Sequence, residues 1–265
     1  MTTSETRTVK TVEHPGHWAT LRIDNPPVNV LDDRVYGELV GAFERFEADP
    51  GMRVVVLESA DPDFFAAHFD VALTPEQNTA AKQAYARLMT ALRSPRLVSI
   101  AKIRGRARGG GNELALQCDM RFASAETAII GQPEIIGRLF PGGGALQLLP
   151  ALIGRSRALE MILSGRDIDA ATAERYGVIN RAVPDTELDE FVDTLAARIA
   201  GFDPIALQDA KAAVDRRYLP TLEDLLYDVE AFNQLLESPE TVANIRDQLA
   251  AGLQTRGPLE YNLGS

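Results

Sequence analysis

Apolar residues recur along the chain with two different periods, and the alternation between those periods predicts an α/β fold. From His17 to Ile23 apolar and polar residues alternate with a period near two, as in a half-buried strand, before Asn25-Pro26-Pro27. Val35, Leu39, Phe43 and Phe46 then fall three and four residues apart, which predicts one face of a helix that Pro50 closes. Arg53–Glu58 is a short apolar run of the kind a buried strand makes. Tyr85, Leu88, Met89 and Leu92 mark a second helix face, Leu97–Ile103 a second buried strand, and Gly105 a turn before Gly109-Gly110-Gly111.

From Asp185 onward the pattern changes to four helical stretches with no strand between them. Asp203-Pro204 and Ser238-Pro239 each read as an N-cap followed by a first-position proline. A boundary is therefore placed near residue 200, dividing a core, 1–200, from a helical region, 201–265. The last helices carry apolar faces (Leu222, Leu225, Leu226, Val229 and Phe232; Val242, Ile245 and Leu249) that so short a tail cannot bury alone. They are expected to pack on the core or on another subunit.

Composition narrows the class. With 265 residues, 45% hydrophobic and 25% charged, the chain is long enough for a sizeable core and has the mix of a soluble globular protein. No apolar run approaches the roughly 18 residues of a membrane span, and the polar start, Met1–Lys10, lacks a signal-peptide core, so a cytoplasmic protein is expected. Cys118 is the only cysteine, and His14, His17 and His68 are the only histidines, so neither a disulfide nor a metal site is expected. The net charge of −11 opposes nucleic acid and anionic membranes as partners.

Three segments could carry chemistry. Arg104–Leu116 places glycines at a strand-to-helix junction, where backbone amides and the helix dipole can cradle an anion or oxyanion. Neither a Walker lysine nor GxGxxG spacing accompanies it, and a plain tight turn is the competing reading. In Gly131–Gly137, Glu134 stands between apolar neighbours expected to bury it and raise its pKa, and with Glu113 it offers two carboxyls, one to activate water and one to deliver a proton. Paired carboxyls also serve glycosidases, but 6% aromatic residues and a single Trp18 leave little sugar-stacking surface. The third segment, Asp63–Val71, ends an apolar run in an irregular stretch holding His68 and Asp70. A serine triad lacks a GxSxG elbow, and His14 and His17, around Pro15-Gly16, read as exposed loop residues.

These segments, in this order and at these separations, resemble the crotonase (enoyl-CoA hydratase/isomerase) family. The likeness extends to Asn25–Leu31 and to Leu163–Arg166 with Ala173–Ile179 and Val183. The resemblance implies a spiral of β-β-α units forming two roughly perpendicular sheets, followed by an α-helical region that trimerises, as a homotrimer or a dimer of trimers. It implies an acyl-CoA thioester as substrate, with coenzyme A part of that substrate and no separate cofactor. By motif position, the amides of Phe69 and Gly110 form the oxyanion hole. Glu113 deprotonates water for attack at the β-carbon, and Glu134 protonates the α-carbon. Ala67, His68, Asp70, Gly109 and Pro133 border the substrate.

The chain departs from the family pattern in two places. The usual Ala-Gly-Ala-Asp loop reads Ala67-His68-Phe69-Asp70, which adds bulk at the oxyanion hole and a polar ring beside the substrate. Where relatives often carry a lysine-rich segment near the CoA nucleotide, this chain has Leu253–Gly257, with Arg256 as the nearest cation. Arg104, Arg106 and Arg108, two apart, are candidates for the phosphates, against a reading as solvated surface arginines. Hydration of a 2-enoyl-CoA is the expected activity. The competing readings are another enolate reaction (isomerisation, retro-aldol cleavage or decarboxylation) and a non-catalytic acyl-CoA-binding subunit.

Overall fold

In the computed structural model, residues 7–265 are described, and the chain enters through an antiparallel pair, β1 (Val9–His14) and β2 (Trp18–Ile23), followed by α1 (Asp33–Ala48). Three turns of one repeating unit come next. The first is β3 (Val54–Ser59), β4 (Phe64–Ala66) and α2 (Pro75–Leu92). The second is β5 (Val98–Ile103), β6 (Arg106–Arg108) and α3 (Gly110–Gln117). The third is β7 (Met120–Ser124), β8 (Ile129–Gly131), a 3-10 turn at Glu134–Gly137 and α4 (Ala145–Ile153). Then follow α5 (Arg155–Ser164), β9 (Ile168–Asp169), α6 (Ala170–Tyr176) and β10 (Arg181–Val183). The chain ends in α7 (Leu188–Ala200), α8 (Pro204–Tyr218), α9 (Leu222–Leu236), α10 (Pro239–Ala250) and α11 (Pro258–Tyr261).

Each repeating unit gives its first strand to one sheet and its second to another. The larger sheet runs β1-β2-β3-β5-β7-β10 and the smaller β4-β6-β8-β9, with β3, β5 and β7 parallel in one and β4, β6 and β8 parallel in the other. This is the β-β-α spiral with two sheets that the sequence led us to expect. Alternation along the strands explains the layering, because successive side chains point to opposite faces. Val54 and Val56 of β3 pack with Leu188, Val192 and Ala196 of α7, whereas Val55 and Leu57 join the main core with Val35, Leu39 and Phe43 of α1. A strand covered on both faces reads as a continuous apolar run, which is why Arg53–Glu58 and Leu97–Ile103 stood out in the sequence.

The predicted helix starts in the tail are present: Asp203 accepts the amide of Ala206 at 2.9 Å, and Ser238 that of Thr241 at 3.3 Å. The tail also holds α11, a short fifth helix that the pattern did not predict. Among its apolar positions, Leu225 and Ile245 are buried, α9 lying against α2 and α4, while Leu226 and Val242 remain exposed. Among the described residues no helix is long and apolar enough to cross a membrane.

Two sequence expectations need correction. His14 is not in a loop: it ends β1, stacks on Trp18 with ring centroids 3.7 Å apart, and bonds Thr20 at 3.0 Å; His17 does sit exposed in the turn. The three arginines are not solvated surface residues either. Arg104 is paired with Asp185 and Asp189, and Arg106 lies over the rings of Phe64 and Tyr261. Arg108 is wholly buried, its guanidinium on Asp167 and on the main-chain carbonyls of Glu260 and Tyr261. β6 includes only Arg106–Arg108, and Arg104 precedes the Gly105 turn, so the three do not share one face.

Candidate active site

Because β4, β6 and β8 are parallel neighbours, their C-terminal ends emerge side by side. The segments that follow them, Ala67–Asp70, Gly109–Gly110 and Gln132–Glu134, are therefore brought together from distant parts of the chain. The smaller sheet builds the site by its order alone.

The first segment is pinned by a one-residue bridge to the loop before α1. Leu31 donates to the carbonyl of His68 at 2.9 Å, and Asp70 donates to the carbonyl of Leu31 at 3.1 Å. In an extended chain successive amides point in opposite directions, so the Phe69 N–H points away from Leu31. The Phe69 backbone lies against the start of α3: a Cβ placed on Gly110 would lie 2.9 Å from the Phe69 nitrogen. Gly110 opens α3, so its N–H has no acceptor within the helix. Two main-chain donors thus stand together beside an eight-residue helix whose dipole adds positive potential. The crowding explains the glycines. A Cβ on Gly111 would meet the Ala66 carbonyl at 2.1 Å, and Gly109, at φ +48°, has Glu134 and His68 within 2.8 and 3.4 Å of where its Cβ would be.

The two carboxyls differ in their surroundings. Glu113, one turn into α3, accepts the amides of Gly143 (2.7 Å) and Ala145 (3.1 Å) on Oε1. Burial raises its pKa to about 7 against the pull of those amides, and the charge of Asp228 adds to the rise. Glu134, in the 3-10 turn, has an Oε2 that is buried without a hydrogen-bond partner. Burial and then the charge of Glu113 push its pKa well above the ordinary carboxylate range. The neighbours expected to bury it do not: Ile135 and Ile136 are exposed, at 43% and 41%, and it is the pocket and the Gly109 backbone that enclose the carboxyl. Both carboxyls are thus raised above the ordinary range, Glu134 by burial and by the charge of Glu113 as well.

A pocket opens over these groups, lined by Glu113, Glu134, Gly109, Gly110, His68, Phe69 and Pro133. Ala67 is buried behind it with Val28 and Phe64, and Asp70 turns to the amide of Ala72 and the side chain of Gln254. Arg256 has its charge met by Asp61 and Asp63 and donates to the carbonyl of Pro27. Several contributors were legible in the sequence as helix-face positions at most, not as parts of a site. Tyr85 (2.5 Å) and Gln117 (3.2 Å) both donate to the carbonyl of Gly143, fixing the loop that feeds Glu113. A Cβ on Gly143 would come within 2.6 Å of Glu113 Oε2, so that loop must pass as glycine. Tyr36, Tyr85, Phe69 and Phe232 form a chain of ring contacts along the wall, with centroids 5.2–6.4 Å apart. The tail completes the wall with Val229, Ile245, Leu253 and Leu263.

A model of the enoyl-CoA hydratase/isomerase family matches residues 14–258. The chain belongs to that family. It is 33% identical over 238 residues to a probable enoyl-CoA hydratase of Mycobacterium leprae, covering 87% of this chain and 89% of that one. It is 29% identical to the short-chain-enoyl-CoA hydratase of Clostridium acetobutylicum, over 92% and 94% of the two chains. The crystal structure of a putative enoyl-CoA hydratase from Streptomyces avermitilis superposes with a TM-score of 0.92 at 42% identity, covering 100% of this chain and 97% of that one. Members of the enoyl-CoA hydratase/isomerase family act on acyl-CoA thioesters.

Proposed function

We propose that this chain adds water across the double bond of a 2-enoyl-CoA. The observation that carries the reading is the unequal pair of buried carboxyls, Glu113 and Glu134, beside the amides of Phe69 and Gly110. The thioester oxygen accepts from both amides, which are worth about 3–4 kcal/mol each as charge builds on the enolate. Glu113, its Oε1 held by two amides, takes a proton from water as the oxygen attacks the β-carbon. Glu134 gives its proton to the α-carbon as the enolate collapses. Hydrogen and hydroxide are added in sum, and exchange with solvent resets the two carboxyls. Isomerisation alone needs one proton-transferring group, so a second carboxyl poised as a base favours hydration.

The test follows the conjugated-thioester absorbance of crotonyl-CoA with the wild type, Glu113→Gln and Glu134→Gln. Rapid loss in the wild type that collapses in both variants supports hydration. A Glu113→Gln protein that retains most of its turnover of a 3-enoyl-CoA points instead to an isomerase working through Glu134. Binding of thioesters with turnover of none would make the chain an acyl-CoA-binding subunit.

We also infer that the chain self-associates through its tail, as the trimer expectation requires. α8 has no buried residue and exposes Ile205, Val214 and Tyr218 at 67%, 59% and 66%, a face that suits a second copy. Light scattering that returns the 28.9 kDa mass of one chain would overturn this.

A further inference from the structure

His68 occupies the position where the resembling motif has glycine, and both of its ring nitrogens face oxygen acceptors. Nδ1 lies 2.8 Å from the carbonyl of Phe69, and Nε2 lies 3.2 Å from Oε2 of Glu260 on α11. A carbonyl has no proton to give, so Nδ1 carries a hydrogen. Glu260 Oε2 already accepts the amide of Gln254 at 2.7 Å, and Nε2 donates to it as well, while Oε1 of Glu260 is buried without a partner. The side chain is only 11% exposed and borders the same pocket as Glu113 and Glu134.

We propose that His68 is a positioning residue: held as an imidazolium between the Phe69 carbonyl and Glu260, it fixes the Phe69–Asp70 peptide, the one that follows the Phe69 amide, and places a positive charge beside the enolate oxygen. The inference rests on the acyl-CoA reading above and extends it to a residue outside the carboxyl pair. Every group that faces the ring favours the arrangement or can be named. Burial opposes the charged form, but the hydrogen bond and charge of Glu260, the Phe69 carbonyl and Asp70 outweigh it and raise the pKa of His68 from 6.5. Glu260 is correspondingly lowered, against its own burial, by His68, the Gln254 amide and Arg108. Glu134 approaches from across Gly109. The geometry also gives α11 a purpose, since it delivers Glu260 to the oxyanion loop from 192 residues away.

Arg108 makes the test clean. Its buried guanidinium binds the main-chain carbonyls of Glu260 and Tyr261, so α11 stays docked when the Glu260 carboxylate is removed. In the full-length protein, the imidazole NMR signal lost in His68→Gln is assigned to His68 and titrated in the wild type and in Glu260→Gln. A ring charged through neutral pH in the wild type, and discharged at lower pH in Glu260→Gln, is the expected result. Binding is then compared for acetoacetyl-CoA, whose enolate absorbs in the near ultraviolet, and butyryl-CoA, which forms no comparable enolate. His68→Gln is expected to lower the enolate fraction of bound acetoacetyl-CoA about tenfold while butyryl-CoA affinity changes by less than about twofold. A neutral His68 in the wild type at neutral pH, or equal losses for the two thioesters, overturns the proposal. Should the wild type bind neither thioester, the acyl-CoA reading fails separately, and the titration alone then decides whether the ring is a held imidazolium.

Discussion

On the spiral side of the pocket the polar groups are main-chain amides and two carboxyls set by the ends of β4, β6 and β8. On the tail side, α9, α10 and the segment after them contribute mostly side-chain volume: Val229, Phe232, Ile245, Leu253 and Leu263. The first side is fixed by hydrogen-bond geometry and tolerates almost no added atoms, as the would-be Cβ contacts at Gly110, Gly111 and Gly143 show. The second side is fixed by packing, where volume matters more than any one atom. On the proposed reading, chemistry and substrate shape fall to different parts of the chain, and substitutions on the two sides should fail differently.

The largest effect belongs to the spiral side. Glu113→Gln and Glu134→Gln should each lower kcat for crotonyl-CoA hydration by about 10²–10⁴-fold with little change in thioester affinity, because each removes a proton-transfer step. A matched fall in affinity would show that the carboxyls serve binding rather than chemistry.

The next contrast lies between two arginines that anchor the tail. Arg108 is wholly buried on Asp167 and two carbonyls, whereas the Arg256 side chain, paired with Asp61 and Asp63, is 42% exposed. Replacing Arg108 by Met leaves the Asp167 carboxylate unpaired in a largely buried site and should cost about 3–5 kcal/mol in urea unfolding. Arg256→Met breaks a solvated pair and should cost about 0–1 kcal/mol. Equal costs would mean that burial does not set the strength of these anchors.

Acidity offers a third way to sharpen the comparison. The proposed hydration needs Glu113 ionised and Glu134 protonated, so kcat/KM should rise with pH through about 7 and fall again at higher pH as Glu134 loses its proton. The limbs belong to the coupled pair rather than to either residue alone. Stability carries the opposite sign to a salt-bridged carboxylate. Both folded pKa values lie above the unfolded one, so the fold binds protons that the unfolded chain has released, and stability falls as pH rises from the ordinary glutamate range toward the folded values. Glu134→Gln should therefore match the wild type in acid and be the more stable protein at alkaline pH, by thermal unfolding at the two extremes.

How far the sequence could be read follows the same division. The glycine-rich strand-to-helix junction was legible because its requirements are local: Gly109-Gly110-Gly111 must be small where α3 begins beneath the Ala66 carbonyl, and Glu113 is fixed to them by one helical turn. The long strands β3 and β5 were legible because both faces are covered. β4, β6 and β8 are three residues each, too short for alternation to register, so the smaller sheet came only through the family resemblance. α11 and Glu260 were invisible for a different reason. Nothing around Pro258-Leu259-Glu260-Tyr261 marks a partner for His68, and the same holds for the arginines, whose two-residue spacing said nothing of Asp167 or of the Tyr261 ring.

The smallest effect expected is on the tail side, and it is the one most able to break the comparison. Phe232 packs edge-on against Phe69 with centroids 6.0 Å apart, and its side chain lies over Gly142, where an added Cβ would meet the Phe232 Cβ at 2.5 Å and the ring Cγ at 2.7 Å. Phe232→Ala opens space at the pocket wall without touching the Phe69 or Gly110 amides or either carboxyl. Longer enoyl-CoA substrates should then gain relative to crotonyl-CoA by about tenfold in kcat/KM, the scale of one or two methylenes in an apolar pocket. kcat for the substrate that fits should stay within a few-fold of the wild type. If kcat instead collapses for every chain length, Phe232 holds the Phe69 loop in place, and the tail shares in positioning the oxyanion hole beyond the contact between His68 and Glu260.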